Sequence, residues 1–176
     1  MCLPTILKYH YICTHHQKLD LLDFLKAKEF QQKRDNPEFK KSAQDDIINM
    51  NTGLRGYKGR IHYEVTKTIS PLIDQIVNEE DDRQQVIEKV AKLIDGAIHK
   101  GYHFFPGNYV AYDERFNTDR FKDKYSTIEK NTFDNYLEEQ ISKIDLENKD
   151  EDFLRSKMLE MYSNTLVNHL ASVGEL

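Results

Sequence analysis

The amino-acid sequence predicts an α+β fold: one mostly helical domain over 1–176, with a small sheet of two or more short strands and a long C-terminal helix packed on the helix before it. Three observations predict it. Residues 45–67 pass from a helical pattern through Gly53, Gly56 and Gly59 into alternating Arg60 to Lys67, the period of two that a half-buried strand requires. Nearly everything after Lys67 carries apolar residues at helical spacing. A stripe from Phe153 to Leu170, ending at Gly174, is the longest of these and marks the closing helix.

The elements follow in order. Thr5 to Cys13, rich in β-branched and aromatic residues, predicts a strand within a divergent N-terminal segment, 1–23. Leu21, Leu22, Leu25 and Phe30 give a helix over about Leu19 to Arg34, which Asn36-Pro37 breaks. Ser42 with Asp45 and Asp46 starts a second helix, which the three glycines end. In the strand, Ile61, Tyr63 and Val65 form the face expected to be buried. Ser70-Pro71 opens a short helix, because proline is tolerated in a first turn. The acidic run Glu79 to Asp82 caps the next one, whose ridge is Val86, Val90, Leu93 and Ala97 and whose end is a left-handed Gly101. A short helix over Asn108 to Glu114 lies within the aromatic stretch Tyr102 to Tyr125. Ser126 and Glu129 form a capping box before a helix faced by Phe133, Tyr136, Leu137, Ile141 and Ile144.

Composition narrows the function classes. Ten Tyr and nine Phe supply much of the apolar area, while the net charge of -5 is built from interspersed acidic and basic clusters. That mixture disfavours nucleic acid as a partner. No apolar run approaches the roughly 20 residues of a spanning helix, and no secretory h-region precedes Cys2 and Cys13. The expectation is a cytoplasmic chain with reduced thiols, able to dock at the inner face of a membrane. The basic group from Lys26 to Lys41 suits anionic headgroups, although a solvated helix face is its commoner meaning.

Candidate chemistry centres on His15 and Asp20. An imidazole can take a proton from a substrate hydroxyl while a carboxylate steadies its other nitrogen, which is acyl-transfer chemistry, although in a chain with seven histidines this spacing also arises by chance. Cys13, His15 and His16 lack the paired spacing of a structural zinc site, so no metal is expected. The three glycines are followed by a strand rather than by GK[ST] and a helix, so they do not form a phosphate loop. Met158 and Met161 read as core.

The segments FLKAKEFQQKRDNPEFKKSAQDDIINMNTGLRGYKGRIHYEV, GYHFFPGNYVAYDE and YLEEQISKIDLENKDEDFLRSKMLEMYSN resemble the C-terminal region of bacterial PlsC-like 1-acyl-glycerol-phosphate acyltransferases, over about 24–170. The resemblance implies peripheral-membrane lipid metabolism: acyl transfer from acyl-CoA or acyl carrier protein to a lysophospholipid hydroxyl in phospholipid biosynthesis, with no bound cofactor. Only the spacing of His15 and Asp20 matches the family's first motif, and no FPEGTR-like segment is present to grip a substrate phosphate. A truncated or divergent member lacking a complete active site is therefore implied, and whether it is an enzyme stays open. The alternative is a non-catalytic helical protein-interaction module that offers its Tyr102 to Tyr125 stretch to a protein partner.

Overall fold

A computed structural model describes the backbone of residues 12–16, and residues 23–55 and 59–176 in full. Most of the expected first strand, both thiol side chains and the Leu21 and Leu22 part of the first helical pattern lie outside the described residues. Among the described residues seven helices dominate: α1 Asp23–Asp35, α2 Ala43–Arg55, α3 Ser70–Glu79, α4 Arg83–Lys100, α5 Pro106–Phe116, α6 Thr127–Ser142 and α7 Glu151–Val173. Among the described residues, extended structure is limited to β1 Ile12–His16 and β2 Ile61–Val65, neighbours in a two-stranded ribbon. Two strands do not make a layer, so the mostly helical part of the expected class is what the architecture supports.

The chain divides into two compact units. One contains α1, α2, α5, α6 and α7 as far as Val167. Its core gathers Ala27 from α1, Val110 and Ala111 from α5, Phe133, Leu137 and Ile141 from α6, and Leu154, Met158 and Tyr162 from α7. The expected stripe of α6 and that of the closing helix are thus buried, with the ring of Phe133 edge-on to that of Tyr162 at 5.1 Å. On the surface of this unit Lys130 and Arg155 tie Glu114 to Asp134, with Arg155 at 2.8 and 2.6 Å from the two acids.

Helix starts follow their sequence signals. Ser126 Oγ accepts the Glu129 N–H at 3.2 Å and Glu129 Oε2 accepts the Ser126 N–H at 2.8 Å, a complete capping box. Ser126→Ala is expected to lower stability by about 1 kcal/mol, read as a shift of the urea midpoint. Ser42 and Asp45 exchange the equivalent bonds at the start of α2, and Asp82 accepts the Gln84 N–H at the start of α4.

α1 departs from its pattern. Its buried positions are Asp23, Ala27 and Gln31, spaced four apart, whereas Phe30 is exposed. The polar pair can be buried because each finds partners: Gln31 donates to the Asn148 carbonyl at 2.6 Å and accepts the Asp150 N–H at 3.1 Å. α2 continues through Gly53 to Arg55, so that glycine does not end it, and Ile47, Met50 and Leu54 stay exposed.

Among the described residues, the second unit holds 12–15, 62–103 and 168–176. α3 packs on α4, and Ile69 and Leu170 are buried. Here β2 reverses the expected burial. Tyr63 and Val65 are exposed, and Ile61, the strand's first residue, is exposed as well; His62 and Glu64 are half-buried. The polar face has the partners: the His62 ring stacks on His103 at 4.7 Å, and Glu64 lies against Gly101. Gly101 itself is not left-handed, with φ of −80°. It is a close-approach glycine, since a Cβ there would stand 2.9 Å from Glu64 Cγ. At the same helix end the His99 carbonyl lies 2.8 Å from His169 Nδ1, which must carry the proton because a carbonyl only accepts.

Candidate functional site

The first unit contains a cleft of about 600 Å³, a size that suits a small organic ligand. Its walls come from three places. Phe105, Pro106 and Gly107 lead into α5; Phe133 and Tyr136 stand on consecutive turns of α6; Tyr162 rises from α7. Spacing on α6 sets one side of the wall, because residues three apart share a helix face.

Proline starts α5 at no hydrogen-bond cost, since a first-turn N–H has no partner within its own helix. Asn108 then fixes the entry of the chain. Its Oδ1 accepts the Phe105 N–H at 2.9 Å, and its Nδ2 donates to the Tyr162 carbonyl at 2.9 Å, which ties α5 to α7. Gly107 lets the Phe133 ring close on the helix; a Cβ at that position would stand 3.0 and 3.2 Å from two ring carbons.

Behind the tyrosines lies Asp23, with 2% of its surface exposed. Its Oδ2 accepts from the Tyr136 hydroxyl at 2.6 Å and the Tyr162 hydroxyl at 2.9 Å, and its Oδ1 accepts the Phe24 N–H at 2.6 Å. The two hydroxyls are 3.1 Å apart. Burial raises the Asp23 carboxyl to about 6, against the opposing pull of the Tyr136 and Tyr162 hydroxyls and the Phe24 amide. Burial likewise raises both phenols, and the Asp23 charge beside them adds to it, so they remain protonated donors at neutral pH. The arrangement orients two rings and stores one negative charge behind them.

Among the described residues, the charged side chains that line the cleft are both carboxylates, Glu129 and Glu139. Glu129 serves the capping box, which holds its carboxyl below the usual range, and Glu139 pairs with Lys143 at 2.9 Å. A second buried acid, Asp113, is structural: it accepts from the Tyr125 hydroxyl at 3.0 Å and from the Phe121 N–H, which pins the turn after α5.

His15 lies in β1, its side chain outside the described residues, and Asp20 lies outside them altogether. Of the aromatic stretch 102–125, Phe105 and Tyr112 are buried, while Phe116 is exposed. Asp23, Tyr136 and Tyr162 were not legible as a set, for an acid at a helix start ordinarily answers the helix dipole. No clustering of His, Cys, Asp and Glu suited to a metal ion occurs among the described residues, and no helix among them is long and apolar enough to cross a membrane. No family model, curated protein or solved structure matches this chain.

Proposed function

We propose that this protein is a non-catalytic helical binding module whose site is the cleft between α5, α6 and α7. The observation that carries the reading is the aromatic wall whose two tyrosines are held from behind by the buried Asp23. Apolar sites with a few fixed polar groups and a perturbed carboxyl are the usual form of a small-ligand pocket. The hydroxyls of Tyr136 and Tyr162 donate to Asp23, which fixes the orientation of both rings.

Small aromatic fragments, followed by NMR of labelled aromatic side chains, provide the test. Ligand-induced shifts should cluster on Phe105, Phe133, Tyr136 and Tyr162. Thr132→Trp, at an exposed α6 position that lines the cleft, should abolish them while leaving the circular dichroism unchanged. Shifts that are scattered, or that survive the blocking variant, would sink the proposal.

Acyl transfer remains the second reading, supported by the resemblance over 24–170 and by the apolar character of the same walls. Its acyl donor would be acyl-CoA or acyl carrier protein. Incubation with labelled acyl-CoA and lysophospholipid separates the two. The binding module transfers no label, whereas an acyltransferase acting through His15 forms product and loses about 10² to 10⁴ in rate in His15→Ala.

A further inference from the structure

The cleft's walls carry information about the charge of what they hold. Three of its rings meet near right angles: Phe133 lies at 79° to Tyr162, and Tyr136 at 83° to Tyr162, with centroids 5.1 and 6.2 Å apart. Rings so placed form the corner of a box, and the negative face of an aromatic ring attracts a cation. The charges agree. Among the described residues, both charged side chains on the lining are acidic, and the Asp23 carboxylate stands behind Tyr136 and Tyr162.

Among the described residues, two nearby cations lie outside the lining and are already drawn toward it. The guanidinium of Arg60 sits 5.5 Å above the Phe105 ring, so one wall takes a cation from the chain itself. Lys143 meets Glu139 as an exposed pair, of the kind that a competing charge can replace at little cost. A helix start normally favours anions, yet the start of α5 is poorly equipped for one. Pro106 has no N–H, Phe105 gives its own to Asn108 Oδ1, and the Asn108 N–H goes to the Phe105 carbonyl at 2.9 Å.

Resting on the binding-module reading, we infer that the occupant of this cleft is an organic ammonium ion with an apolar body. The aromatic corner holds the alkylated nitrogen, Glu139 supplies the opposing charge at the rim, and Phe105 and Pro106 cover the apolar remainder.

Three probes of one shape test this: benzyltrimethylammonium, neutral 2,2-dimethylpropylbenzene with carbon in place of nitrogen, and the phenylmethanesulfonate anion. Calorimetry or competition should give the ammonium at least about tenfold tighter than the neutral compound, and the anion weakest. Glu139→Gln should weaken the ammonium about two- to fivefold and leave the neutral compound unchanged. Neutral or anionic binding as tight as the cation's, lost in Thr132→Trp, would overturn the charge assignment while leaving the binding site standing. Failure of all three probes to bind would overturn both.

Discussion

Leu137→Ala is expected to cost about 3 to 4 kcal/mol, a large share of the stability of a domain this size. Leu137 has no exposed surface and lies on the α6 face that meets α5 and α7 in the core. Truncation removes its transfer energy and leaves a void that two packed helices cannot both close. Ile128→Ala on the same helix is the control, because Ile128 is 78% exposed and its loss should fall within about 0.5 kcal/mol. Urea denaturation of the two variants, with unchanged slopes, reads the difference directly. Equal losses would mean that the α6 face does not form the core.

The second large effect is a pH dependence of unusual sign. Asp23 has a carboxyl raised from an ordinary 3.8 to about 6. Between those values the unfolded chain has given up this proton and the folded chain has kept it, so the unfolded state binds fewer protons and stability falls as pH rises. The contribution is complete below about pH 3, declines through pH 6 and is level above about pH 7. The displacement corresponds to about 3 kcal/mol. Other carboxyls pull the opposite way: those of Glu29, Asp45 and Glu129, for example, are held below their ordinary values by hydrogen bonds. The clean observable is therefore the stability of the native protein minus that of Asp23→Asn, followed from pH 4 to 7. Over that window it should fall by about 2 kcal/mol. A flat difference would show that Asp23 is not buried behind the tyrosines.

Much of the helical framework could be read in the sequence, because its signals are local. Ser126 with Glu129, Ser70-Pro71 and the stripe of α7 each act within a few residues, and each gives the expected element. The site was not legible, because its parts act at long range. Asp23 meets Tyr162 across 139 positions and Gln31 meets Asp150 across 119, and no periodicity records such partners. The same cause reversed β2. Alternation correctly gave two faces, but the neighbours of His62 and Glu64, which come from residues 101–103, decided which face is the more covered. His15 and Asp20 illustrate the opposite case, a spacing legible in the sequence whose geometry lies outside the described residues.

Gly107 has no side chain, and so the bore of the cleft is governed by an atom that is missing. One added methyl would press on the Phe133 ring and swing it, and with it a side of the aromatic corner. The calibre of the opening can thus be retuned by a single codon without replacing any aromatic or acidic side chain on its wall, which gives the scaffold a way to change its choice of molecule while its framework stays the same.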